Sequence, residues 1–187
     1  LYLETLTALY TQTRAKTTEE SKVATGLPEK LFEARTSLID LLERRLDGNL
    51  ERIFWLLGLR YPSEDMLNVY QGIQSKKPEM RINALEFLDN LLETNLKRVL
   101  IPIVETVLLE NISEEVIKNL NLKVPDEYQC FSMLLAGKDV KIILAVLYLI
   151  AQQKNKRYIH LVSTYTQSRN QKIKTFAKQT LHELLKT

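Results

Sequence analysis

Metal, nucleophilic and acid–base chemistry needs histidines, cysteines or carboxylates brought together, and this sequence offers few such groupings. His160 and His182 are the two histidines, and no cysteine or carboxylate stands at ligand spacing to pair them. Surface or structural histidines are expected there rather than a metal site. Cys130 is the single cysteine and has no histidine near it in sequence. It reads as a buried core thiol, unable to form an internal disulfide and suited to a reducing compartment. Glu86, Asp89 and Glu93 lie along one helix face, opposite its apolar stripe. Acid–base work needs an enclosed site that shifts pKa values, so these three read as a solvated face. No glycine-rich phosphate loop or dinucleotide fingerprint occurs, so no cofactor and no small-molecule substrate are expected. The residues predict a chain that is not an enzyme.

Binding residues are easier to find. Trp55, Tyr61 and Tyr70 fall near a helix junction, where they serve either inter-helix packing or a partner-binding hot spot. The second group is cationic. Residues 141–187 hold nine Lys or Arg and one acid, Glu183, a net +8, so the first 140 residues carry −5 of the total +3. Lys154, Lys156, Arg157 and Arg169 fall at helix junctions. Lys174, Lys178 and His182 form an i, i+4, i+8 row beside an apolar stripe, with Lys172 and Lys186 towards the opposite flank. Two readings stay open: a solvated lysine-rich surface, or a face for an anion. The anion is either nucleic acid, with Tyr158 or Tyr165 stacking on bases, or an anionic membrane surface.

The elements that must position these residues are helical. The chain has 187 residues, 45% hydrophobic and 26% charged, with only 5 Gly and 5 Pro. That is enough for one domain with a continuous core and too few turn residues for a β-rich one. The spacing predicts helices over 1–15, 29–47, 49–59, 63–75, 78–94, 96–110, 113–120, 126–136, 138–153, 156–167 and 169–186. Residues 16–27 read as a loop or an extension of the first helix. Pro28, Pro78 and Pro125 suit first helical turns, and Ser63 and Ser113 suit N-caps followed by acids. Ser168 with Gln171 and Thr17 with Glu20 have capping-box spacing, and Gly48 and Gly137 suit left-handed C-caps. Within 78–94, Met80, Ala84, Leu85, Leu88, Leu91 and Leu92 make the apolar stripe. The longest apolar run, Ile142 to Ala151, is too short for a bilayer and reads as a helix buried on most sides. Short links predict antiparallel neighbours. The start at Leu1 rather than Met suggests a piece of a longer protein.

Three helices share an opening. Pro78-Glu79-Met80-Arg81-Ile82-Asn83-Ala84 leads to Leu88 and Leu91; Lys172-Ile173-Lys174-Thr175-Phe176-Ala177 leads to Leu181 and Leu184. Between them, Asp139-Val140-Lys141-Ile142-Ile143-Leu144 leads to Tyr148 and Ala151, with Leu144 where a small residue is expected. Their cations Arg81, Lys141 and Lys174 are 60 and 33 residues apart, about two repeats and one. The small residue belongs where two helices approach, and the stem of the cation packs beside the core. With the proline-bearing segment Leu96-Lys97-Arg98-Val99-Leu100-Ile101-Pro102-Ile103-Val104, these openings resemble HEAT repeats. A narrower resemblance covers residues 50–151. Leu50-Glu51-Arg52-Ile53-Phe54-Trp55-Leu56-Leu57-Gly58-Leu59, Tyr61-Pro62, Asp65 and above all Ala84-Leu85-Glu86-Phe87-Leu88-Asp89-Asn90-Leu91-Leu92 look like the HEAT-repeat region of large bacterial membrane proteins related to ATP/ADP translocases.

The resemblance implies an all-α fold: a right-handed α-solenoid of about five HEAT-like antiparallel helix pairs. Residues 1–187 would be one repeat domain, with 1–28 a linker or capping helix. It further implies a non-catalytic scaffold, cytoplasmic at the inner face of the bacterial inner membrane, docking a protein or domain partner. A transporter-like membrane domain would belong to the same parent chain. The alternatives are a nucleic-acid-binding repeat module using the basic end and a regulatory domain of a nucleotide transporter.

Overall fold

The computed structural model describes residues 1–23, 29–108 and 114–186. Its described residues form ten α-helices, with short 3-10 turns near the end, and no strand. The helices are α1 (Tyr2–Val23), α2 (Glu29–Leu57), α3 (Ser63–Ile73), α4 (Pro78–Leu91), α5 (Thr94–Leu108), α6 (Glu114–Asn119), α7 (Glu127–Leu135), α8 (Val140–Gln153), α9 (Ile159–Ser163) and α10 (Gln171–Lys186). No helix among the described residues is long and apolar enough to cross a membrane. The chain divides into two compact units, Leu1–Leu3 with Leu46–Lys123 and Glu4–Arg45 with Val124–Thr187.

In the first unit α3 packs on α4, and both pack on α5. Met66, Val69 and Ile73 of α3, Ala84 and Leu88 of α4, and Leu100, Ile103 and Val104 of α5 are buried. The apolar stripe expected on α4 is thus largely real, with Leu88 fully buried, but Met80 at its start is 48% exposed. The α3–α4 crossing is close because Gly72 allows it. A Cβ at Gly72 would stand 2.7 Å from the Cβ of Ala84. The small residue of the repeated opening does lie at a helix contact, as packing requires. The hydroxyl of Tyr2 bonds that of Thr106, which itself donates to the Ile103 carbonyl.

In the second unit α8 packs on α7 and α10, and α9 packs on α10. The apolar run in α8 is buried on most sides, including Ile142, Val146, Leu149 and Ile150. Ala177 of α10 is fully buried, and Thr180 donates to the Leu147 carbonyl 33 residues away. This is the spacing at which Lys141 and Lys174 align in the sequence.

Several expected helix ends are elsewhere. The helices expected over 29–47 and 49–59 are one helix, α2, which runs through Gly48. The hydrogen-bonded spiral continues because flanking Asp47 and Asn49 are tolerable helix residues and one glycine costs only about 1 kcal/mol. Thr17 begins no capping box: it sits inside α1 and donates to the Thr13 carbonyl. Thr11, Thr13 and Thr18 do the same, each to the residue four back. Satisfied in this way, the threonines let α1 run to Val23, which takes the described part of residues 16–27 as an extension of the first helix rather than a loop.

Ser168 does not cap α10; Asn170 accepts from the amides of Lys172 and Ile173. Asp126, preceded by Pro125, caps α7 in a capping box with Gln129, so Pro125 is outside the first turn. Ser63 is the first residue of α3 and makes no cap bond, whereas Pro78 opens α4 as expected. Gly137 follows α7 without entering the left-handed region; that conformation falls to Asn121 and to Lys154, which ends α8. Pro28 and Ser113 lie outside the described residues.

Candidate functional site

The seven candidate cations all belong to the second unit and stand on or between α8, α9 and α10. Lys154, Lys156, Arg169, Lys172 and Lys178 are exposed, and Lys174 is half-buried. Arg157 differs. Its guanidinium donates to Glu127 at 2.8 Å and lies 4.5 Å from the centre of the Tyr158 ring, so its charge is already neutralised. Tyr158 is fully buried against Phe131 and Tyr128. It cannot stack on a nucleic-acid base, which corrects one sequence expectation; Tyr165 keeps partial exposure. His160 and His182 are exposed, and Cys130 is buried.

The aromatic candidates of the first unit take separate places. Tyr70 packs on buried Phe54, ring centres 5.5 Å apart. The Tyr61 hydroxyl accepts from the Glu93 amide at 3.4 Å. Trp55 is 73% exposed, and its indole N–H donates to Glu51 one turn earlier. Its neighbours Leu56 and Leu59 are 66% and 84% exposed. The helix explains this. Leu50, Phe54 and Leu57 turn to the core, so Trp55 and Leu56 must turn out. Glu86 and Glu93 are exposed, and Asp89 is half-buried and pairs with Lys97, in keeping with a solvated face.

Sequence reasoning missed a polar network inside the second unit. Arg35 of α2 is 1% exposed. Its guanidinium donates to both oxygens of Glu19 at 2.8 and 2.6 Å, and to Gln12 at 2.5 Å. It also meets Glu127 at 2.9 Å. Glu127 in turn accepts from Gln153, Arg157 and Tyr158, so four donors converge on one carboxylate. Burial works against the charge of Arg35, but Glu19 and Glu127 outweigh it and hold its pKa above the ordinary value. Burial, then the charge of Glu127, pushes the Tyr158 phenol up. Burial likewise raises the Cys130 thiol to about 11, with Gln12 donating to its sulfur at 3.4 Å. A thiol so far from ionising is a poor nucleophile at neutral pH. The partners are 16, 23 and 92 residues from Arg35, beyond any local spacing rule. The one available signal was an arginine at a position that a helical period assigns to the buried face, with Leu38 and Leu42.

A groove of about 340 Å³ lies between α3 and α4, with Asp65, Asn68, Met80, Asn83 and Phe87 around it and Ala84 beneath. Among the described residues, no group of three or more His, Cys, Asp or Glu side chains is placed to hold a metal ion.

The described residues thus form an all-α structure with a dense polar network inside, and with Trp55 and most of the cationic candidates exposed. The chain matches no protein-family model, no curated protein and no solved structure.

Proposed function

We propose that this chain is a non-catalytic interaction scaffold that docks a protein or domain partner. In this reading it is a right-handed HEAT-type array, and the cytoplasmic part of a larger bacterial membrane protein related to nucleotide translocases. The observation that carries the scaffold reading is the exposure of Trp55 and Leu56 in the last turn of α2 and of Leu59 just beyond it. Fully burying a side chain of this size is worth about 1.5–3 kcal/mol, so a partner that covers these side chains gains several kcal/mol. Trp is the residue most often found at the centre of such contacts. The array reading is supported by the 33-residue offset between Thr180 and Leu147 and by the small-residue contact at Ala84.

A photo-reactive phenylalanine analogue in place of Trp55, in the full-length protein in its host, tests the reading. A discrete adduct is expected with a second polypeptide or another segment of the parent chain, and Leu59→Asp should remove it. The same probe at exposed Gln179 is the control. Equal, diffuse labelling at both positions would sink the docking role of these side chains.

A second reading is favoured by a separate observation, the six exposed cations Lys141, Lys154, Lys156, Arg169, Lys172 and Lys178 around α8–α10, none of them held in an ion pair among the described residues. It assigns this face to an anionic membrane surface or to nucleic acid. A regulatory role within a nucleotide transporter is compatible with either surface.

A further inference from the structure

We infer that the cleft between α3 and α4 is a docking groove for a basic, amphipathic helical segment of a protein partner. This rests on the scaffold reading above and gives it a second surface and an occupant of defined chemistry. The cleft lies beside the close contact of the two helices. Gly72 and Ala84 bring the backbones together, and no larger pair fits there. On either side of that contact the rim is mixed. Met80 and Phe87 are 48% and 46% exposed, two large apolar side chains facing water across a floor that includes buried Ala84. Asp65, Asn68 and Asn83 supply polar atoms on the same rim. A few directed polar groups around an apolar floor are what a helix laid into a groove uses for register and for affinity. Methionine on such a rim adapts to the shape of what it meets.

Charge selects the occupant. Helix α3 carries Glu64 and Asp65 and no cation. Helix α4 carries Glu79, Glu86 and Asp89 against Arg81. Among the described residues, Asp89 of these acids has an ion-pair partner, Lys97, and the others have none. Lys76 and Lys77 sit in the link between the helices, at the end where Gly72 and Met80 lie. Asp65 and Phe87 line the other end, with Glu64 and Glu86 beside them in sequence. Among the described residues, Asp65 is the one charged side chain that lines the groove, and an acidic segment would meet repulsion there. The occupant presents an apolar stripe, with side chains at i and i+7 meeting Met80 and Phe87, and a Lys or Arg towards Asp65.

The test uses the full chain and a fluorescent model peptide of Leu and Lys in amphipathic helical spacing, with a Leu and Glu peptide of the same pattern as its counterpart. Binding is read by anisotropy, and the site by the methyl resonance of Met80 and the amides of α3 and α4. The Lys peptide is expected to bind and to shift the Met80 methyl, and the Glu peptide to do neither. Phe87→Ala and Asp65→Asn should each weaken binding roughly tenfold. Asp65→Asn keeps the shape of the rim, so it remains informative if Phe87→Ala disturbs the fold. Binding unchanged by both variants, with shifts confined to the Trp55 region, would overturn the groove and leave the scaffold reading standing. Absence of binding by either peptide would also overturn the groove, while the cross-link from Trp55 decides the scaffold reading separately.

Discussion

Arg35 shows how much of this protein depends on single residues remote in sequence. A guanidinium taken out of water loses hydration that only charged, well-oriented acceptors replace. Glu19 gives it two bonds, Gln12 one, and Glu127 completes the set. Glu127 then needs its remaining lone pairs occupied, and Gln153, Arg157 and Tyr158 do so. The network is neutral overall, two arginines against two glutamates, and the Arg35 head is nearly dry while Glu127 keeps some exposure. Its worth lies in the cost of breaking it. Arg35→Met keeps much of the stem volume but strands Glu19 and Glu127 in a partly buried place. We expect it to lower stability by about 3–5 kcal/mol in reversible urea denaturation. A loss below about 1 kcal/mol would mean that the carboxylates simply turn to water. The same network accounts for why Arg157 drops out of the candidate anion site: its charge is committed to Glu127.

At the scale of the element, glycine gives the cleanest contrast. Gly72 lies against Ala84 and has no room for a Cβ, whereas a Cβ at Gly48 would meet nothing within 4 Å. Gly48 thus weakens the middle of α2 without a packing reason. Gly48→Ala should raise stability by roughly 0.5–1 kcal/mol, seen as a higher urea midpoint with an unchanged slope. A lower midpoint would mean that α2 needs to bend there. This position also explains part of what the sequence conceals. Gly, Asp and Asn together look like a helix end, yet nothing local reveals that buried residues on both sides, Leu42 and Leu50, hold the helix through them. The reverse holds for α4 and α8, whose periodic apolar residues and flanking Pro78 and Asp139 make them readable residue by residue. Short polar side chains were the weak point. Thr17 and Ser168 have capping spacing, but whether a hydroxyl caps a helix or bonds back four residues depends on where the chain turns. The surface candidates were legible as residue types and not as places. A period that makes Leu50, Phe54 and Leu57 face inward leaves Trp55 outward, while Tyr158 looked exposed among lysines and is buried on Phe131.

For the molecule as a whole, the decisive property is the uneven distribution of charge along the chain. Residues 141–187 hold +8 while the first 140 hold −5. Like charges on one set of packed helices repel one another and add nothing to the stability of the fold. Screening at physiological salt reduces that repulsion beyond about 8 Å but leaves the sign of the local field. Arg157 pairs with Glu127, and Lys186 stands 3.7 Å from Glu183, so the uncommitted charge is on Lys141, Lys154, Lys156, Arg169, Lys172, Lys174 and Lys178. Each cation near an anionic leaflet contributes about 1 kcal/mol, and phosphates of DNA act on the same groups by releasing counterions. Reversing Lys172, Lys174 and Lys178 to Glu should therefore weaken binding to phosphatidylserine vesicles by roughly a hundredfold or more and flatten its salt dependence. The fold should survive, because Lys172 and Lys178 are exposed and Lys174 only half-buried. Co-sedimentation with vesicles and anisotropy with mixed-sequence duplex DNA, each at low and physiological salt, separate the two anions. Vesicle binding alone would place this face against a membrane; DNA binding with a slope proportional to the lysines present would make it a nucleic-acid surface. Binding that survives the reversal would move the contact off α10. Failure to bind either anion at low salt would make the lysines a solvated face and leave the exposed side chains at Trp55 and the α3–α4 groove as the proposed docking surfaces.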